Sequence, residues 1–168
     1  MGTRQGNKGG EQNGVKFFGS VLSHRDRLTR LSAQEVPIPM QRLIAAILAI
    51  PTLFNGLTML VAGPFWYASV PGAAATGPFN PHFVQDIGVA FLVAGLALAA
   101  RAWRPRYWPA AVAGAGFLAA HALIHLVAII GGHDHQAGFD LVAVVLPSVF
   151  ALYSALPSPK EYRGEYHA

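Results

Sequence analysis

The residues able to do chemistry in this chain are mostly histidines and aspartates. Seven histidines occur, and five of them, His82, His121, His125, His133 and His135, fall in its hydrophobic part with Asp86, Asp134 and Asp140. His82 and Asp86 are four residues apart, as are His121 and His125. On helices, each pair occupies one face. Together they offer three imidazoles and a carboxylate, a set that suits Zn²⁺, Cu²⁺ or non-haem iron. His82, Asp86, His121 and His125 would form the first shell. His133 and His135, in the Gly131-Gly132-His133-Asp134-His135 turn, would hang above it as a gate. Two other readings fit the same residues. Asp86 would bond an imidazole only to fasten two helices, or imidazoles from facing helices would hold haem b or meet a quinone.

No cysteine is present. That excludes disulfides, thiolate metal sites, iron–sulfur clusters and c-type haem attachment. There is no Gly-rich phosphate loop, no Ser/His/Asp order of a hydrolase and no internal repeat.

These groups need elements to hold them, and composition says what kind. Of 168 residues, 53% are hydrophobic and only 12% charged, about half the charged share of a soluble domain. Four stretches reach the roughly 20 apolar residues a membrane span requires: about Gln41 to Ala62, His82 to Ala100, Trp108 to Ile130 and Gly138 to Leu156. The triplet Ala73-Ala74-Ala75 resembles a signal-peptide cleavage site, but the apolar run before it is too long for a signal peptide. Asn80-Pro81 is a helix-start signal, with Asn as N-cap and Pro at the first position. Asn55, inside the first span and one turn after Pro51, is expected to face the bundle and bond a neighbour.

The net charge of +4 does not indicate nucleic-acid binding, because the basic residues are segregated. Arg4, Lys8, Lys16, Arg25, Arg27, Arg30 and Arg42 precede or enter the first span. Arg101, Arg104 and Arg106 lie between the second and third, and Lys160 and Arg163 follow the fourth. The loops Gly63 to Pro81 and Gly131 to Ala137 carry none. The positive-inside rule then requires both termini on the cytoplasmic side. Trp66, Tyr67, Trp103, Tyr107 and Trp108 sit at span ends, where amphipathic rings prefer the headgroup layer. Residues 1–38 form a polar, basic tail. Residues 1–14 read as disordered, and Val15 to Leu31 as an amphipathic helix on the anionic leaflet or a topology-fixing stop. Residues 39–157 form the transmembrane domain and 158–168 a second cytoplasmic tail. Met40, directly before the first span, is an alternative start.

At about 1.5 Å per residue, Asp86 and His125 lie at matched depth in the outer half of the membrane, with His121 one turn deeper. Ionisable groups there cost about 2.5–3.5 kcal/mol on insertion scales, so they are expected to turn inward and pair.

The run Asn80-Pro81-His82-Phe83-Val84-Gln85-Asp86-Ile87-Gly88, then Ala94-Gly95-Leu96-Ala97-Leu98, resembles a signature of uncharacterised small bacterial inner-membrane proteins. His121-Ala122-Leu123-Ile124-His125-Leu126 is similar to their third span. The overall plan resembles, more distantly, the DoxX-like four-helix proteins. The resemblance covers roughly residues 40–156. It implies a bacterial inner membrane and a four-helix bundle, and brings no catalytic residue with it.

The expectation is an all-α, up-down-up-down bundle of four transmembrane helices, N-in and C-in. Its partners are the lipid bilayer and a membrane-protein partner, with no nucleic acid. Its function is read as an outward-facing His/Asp site for a metal (Zn, Cu or Fe) or a redox cofactor. The alternative is a non-catalytic accessory subunit whose His/Asp groups only pair helices.

Overall fold

The computed structural model describes residues 2, 39–133 and 136–162; the expected amphipathic helix, the disordered tail and His135 lie outside them. The described part from residue 39 onward belongs to a compact unit that begins at Ile38. It is largely helical, with no strand among the described residues. Four helices are long and apolar enough to cross a membrane: α1 (Met40–Val61), α3 (Pro81–Trp103), α4 (Trp108–Ile130) and α5 (Ala137–Ala155). Two short helices flank them, α2 (Gly63–Ser69) and α6 (Pro159–Tyr162).

The core shows why this is a multi-pass membrane protein. Its buried cluster is Ala49, Ala94, Leu98, Ala111, Ala115, Leu118, Ala151 and Ala155. The bulky side chains point outward instead; Ile50, Phe54, Val61, Ile124, Val127 and Ile130 are all exposed. In water such a surface would aggregate. In lipid it is the solvated face, and small residues inside let the helices approach closely. The closest approach is between α1 and α3. A Cβ on Gly56 would lie 2.7 Å from the Gly88 carbonyl oxygen, and one on Gly95 2.7 Å from the Leu53 side chain. Gly114 of α4 meets the Ala94 backbone in the same way, whereas Gly116 faces open space.

Sequential long helices pack on one another, and α1 also packs on α5, so the four close into a ring. The ties join opposite ends of neighbours. Arg42 at the start of α1 donates to the carbonyls of Ala102 and Trp103 at the end of α3. Gln41 reaches the Tyr153 carbonyl near the end of α5.

The helix-start signal at Asn80-Pro81 works as its chemistry predicts: the Asn80 side chain accepts from the Phe83 N–H at 3.2 Å. The second span runs three residues beyond Ala100 and takes Arg101 with it. Arg101 is therefore not a loop residue; it is fully buried. Its guanidinium donates to the carbonyls of Ser154, Pro105 and Leu156, and to both carboxylate oxygens of Glu161 at 2.7 and 2.8 Å. Glu161 is held in turn by Ser158. The Ser158 N–H donates to its carboxylate at 2.6 Å, and the Glu161 N–H donates back to the Ser158 hydroxyl at 3.3 Å. This capping box starts α6 and clasps the chain after α5 onto the end of α3.

At the other end, the segment from Gly63 to Pro81 opens as helix α2 rather than as loop. Pro51 does not interrupt α1, and Asn55, one turn on, finds its partner in α2: the Trp66 indole N–H donates to it at 2.8 Å. Tyr67 bonds the Gly77 carbonyl and packs its ring 5.4 Å from Phe79. The reversal needs Gly72, whose φ of 84° is open to glycine and few others. Phe79 in turn lies 3.4 Å from where a Gly63 Cβ would sit, so the segment lies over the ends of α1 and α3.

Candidate functional site

His121 and His125 project from one face of α4 with ring centroids 4.8 Å apart, edge to face. One turn earlier, Phe117 stacks near-parallel on His121 at 6.2 Å. Phe91 of α3 closes the row from the side, edge-on to both His121 (5.5 Å) and Phe117 (5.3 Å). The i, i+4 spacing makes this ladder: 117, 121 and 125 succeed one another along one face.

The carboxylate that meets the ladder is Asp140, whose Oδ2 contacts His125 Nδ1. Asp140 is buried although Phe139, Leu141 and Val142 around it are exposed. The backbone explains this. Leu141–Val145 form a π turn directly after Asp140. Such a one-residue widening re-aims the side chains beside it and is frequent at functional sites. Below it, the Ser148 hydroxyl shares its one proton between the carbonyls of Leu118 (3.0 Å) and Val144 (2.7 Å). The hydroxyl thus ties α5 to α4 beside the widened turn.

The expected pairing of Asp86 with an imidazole of α4 is corrected by this geometry. Asp86 lies 3.6 Å from His82 on its own helix, and both side chains are largely exposed, 62% and 87%. The helix period gives the reason. The buried face of α3 runs through Val84, Gly88, Gly95 and Leu98. At about 100° per residue, positions 82 and 86 fall roughly opposite it. An exposed pair at that distance contributes little. His133 is exposed in the turn after α4, with its N–H bonded to the Ala128 carbonyl at 3.0 Å. Gly131 makes room for its ring: a Cβ there would sit 2.7 Å from Nδ1. The six expected ligands therefore divide. His121 and His125 come together, His82 and Asp86 pair elsewhere, His133 stands apart, and His135 is outside the described residues. Among the described residues, no group of three or more His, Asp or Glu side chains could hold a metal ion.

What remains has definite chemistry. An ionised Asp140 accepts only, so the Nδ1 it meets carries a proton, and in the neutral imidazole the His125 Nε2 is left with its lone pair. A carboxylate behind an imidazole is also how ligating histidines are oriented and made more basic. His121 makes ring contacts alone; among the described residues neither of its nitrogens has a hydrogen bond. Asp140 is visible in the sequence as an acid at the start of the fourth span. Spacing favours Asp86 over it, because no periodicity announces a π turn. The signal for the clasp at Arg101 is the Ser158-Pro159-Lys160-Glu161 capping box.

Comparison with known proteins returns no relative: no family model, no curated protein and no solved structure matches the chain.

Proposed function

We propose that this multi-pass protein resides in a bacterial inner membrane, N-in and C-in with its helices running up-down-up-down, and that His121 and His125 bind a metal ion or redox cofactor in the outer half of the bilayer. One observation carries the reading. Asp140 holds His125 by Nδ1, so the Nε2 of His125 is unused beside a second imidazole that has no hydrogen-bond partner among the described residues. An imidazole nitrogen in a low-dielectric layer without a partner carries a desolvation cost, which a ligand would remove. The orientation rests on the segregation of Lys and Arg. The inner-membrane assignment rests on the resemblance of the 80–98 and 121–126 runs to small bacterial membrane proteins.

Two imidazoles with an orienting carboxylate suit a transition metal whose remaining positions are filled by water, substrate or a partner subunit. They equally suit a cofactor that accepts or donates one hydrogen bond. The rival reading, in which Asp140 and His125 only fasten α4 to α5 in an accessory subunit, needs no third ligand, and among the described residues no group of three or more could hold a metal ion.

Metal analysis and the absorption spectrum of detergent-purified protein, with melting temperature read against added Zn²⁺ or Cu²⁺, separate the two. A ligand that binds the folded state raises the melting temperature by mass action. On the proposed reading His121→Ala or His125→Ala abolishes that rise, while His82→Ala leaves it intact. Wild-type protein with no metal, no chromophore and no response to either ion refutes the metal and haem forms and leaves the helix-fastening role standing.

A further inference from the structure

The turn between α3 and α4 carries a charged group that neither the His/Asp site nor the clasp uses. Arg101, inside α3, is neutralised by Glu161. Arg104 and Arg106 are not: both are exposed, and neither has an acidic partner among the described residues. Each lies on an aromatic ring instead. The Arg104 guanidinium carbon is 4.6 Å from the Trp103 ring centre, and that of Arg106 is 5.1 Å from the Tyr107 ring centre. The two rings stack on each other, 6.0 Å apart and 18° from parallel. The result is one block of two guanidinium groups and two rings.

The backbone makes this block rigid. Pro105 disfavours helical geometry at the residue before it, so Arg104 is extended (φ −138°, ψ 135°) and α3 ends at Trp103. Pro105–Tyr107 form one 3₁₀ turn, and Pro109 stands in the first turn of α4. Arg42 adds a third guanidinium, seated on the Trp103 carbonyl at 2.8 Å. A guanidinium that lies over a ring uses its face for the contact and keeps its in-plane N–H groups available. Of Arg104 and Arg106, only Arg106 uses a donor among the described residues, to the Tyr107 hydroxyl at 3.2 Å.

We propose that Trp103, Arg104, Arg106 and Tyr107 form a binding site for the phosphate headgroup of an anionic phospholipid. The turn closes the ends of two spanning helices, so its depth is that of the headgroup layer, where Trp and Tyr settle. The anion available at that depth is a lipid phosphodiester, and preset guanidinium forks match phosphate oxygens. Exposed Trp103 presents its ring to the upper acyl chains. The lipid site requires only that this turn lies at a membrane edge. It depends neither on which side of the membrane that edge faces nor on the proposed ligand of His121 and His125.

The test is native mass spectrometry of the full-length protein titrated with phosphatidylglycerol or phosphatidylcholine, repeated in the presence of inorganic phosphate. We expect wild type to retain phosphatidylglycerol about tenfold more tightly than phosphatidylcholine, in line with the attraction of an anionic leaflet for a few basic side chains. Arg104→Gln/Arg106→Gln should lose that preference while keeping its melting temperature, since both side chains are exposed. Arg106→Gln alone, the milder change, should lose part of it. Wild type that fails to distinguish the two lipids, or a double variant that keeps the full preference, overturns the site. Displacement of phosphatidylglycerol by millimolar inorganic phosphate would show a free-anion site and overturn the lipid assignment.

Discussion

At one end of the bundle Arg101 uses all five of its N–H groups, three on carbonyls and two on Glu161. At the other, His125 meets Asp140 through a single nitrogen and His121 beside it bonds nothing among the described residues. Both regions bring an acid and a base together across separate helices, yet they solve opposite problems. A buried guanidinium is tolerable only when its charge is matched and its donors are filled, and the clasp meets both conditions. A satisfied cluster of that kind has nothing left with which to bind a ligand. The ladder at α4 keeps two imidazoles and leaves nitrogens over. Polar satisfaction therefore separates the part of this molecule that holds the chain together from the part able to act.

The clasp can be broken at Glu161. Glu161→Ala leaves Arg101 buried with its charge unmatched, and removing one partner of such a pair costs about 3–5 kcal/mol. Its fall in melting temperature, measured in detergent by thermal unfolding, should exceed that of Asp140→Ala or His121→Phe. Glu161→Gln retains an acceptor for Arg101 and should fall less.

Acid tests the same group without mutation. Burial raises the Glu161 carboxyl, but the hydrogen bonds and charge of Arg101, with those of Ser158, outweigh it and hold Glu161 below the ordinary glutamate value of 4.5. A depressed carboxylate stabilises the fold fully above its unfolded pKa, and that contribution is lost as pH falls through the lower folded value. Melting temperature followed downward from pH 6 should hold until about pH 4.5 and then drop. Glu161→Gln should lack that component of the drop; an identical acid profile in the two proteins would contradict the clasp.

Asp140→Ala breaks the other pair. One hydrogen bond is lost and His125 Nδ1 is stranded, a cost of about 1–3 kcal/mol, smaller than that of Glu161→Ala. Its diagnostic effect lies elsewhere. With the imidazole no longer oriented, any metal-induced rise in melting temperature should shrink even after the lower baseline is taken into account.

What is legible in the sequence depends on what leaves a trace there. The spans leave the broadest trace, since apolar length alone marks them, and Asn80-Pro81 marks the start of α3 by its cap. His121 and His125 share a face because the helix period is regular. The same period places His82 with Asp86 correctly, but it does not say which way that shared face points; the glycines Gly88 and Gly95 decide that by turning the opposite side of α3 toward α1. Asp140 reaches His125 beside a π turn, a local departure from the period by which sequence is read. Arg101 reads as one of three loop arginines because its partner lies sixty residues away in the tail.

His121→Phe should change stability least and sharpen the comparison most. Among the described residues the interactions of the His121 ring are ring contacts, with Phe91, Phe117 and His125, and a phenyl ring can make all three. Such volume-conserving swaps cost less than about 1.5 kcal/mol, and here the partnerless nitrogens disappear as well. The melting temperature should therefore stay level or rise slightly, whereas His125→Phe, which strands Asp140, should lower it. If His121 is present to bind, His121→Phe removes the response to Zn²⁺ or Cu²⁺ from a protein that is otherwise as stable as wild type. A marked loss of stability would mean that His121 makes a hydrogen bond in the membrane that helps to hold α4 in place. The α4 ladder would then be a second, looser clasp, and the functional contrast between the two ends of the bundle would fail.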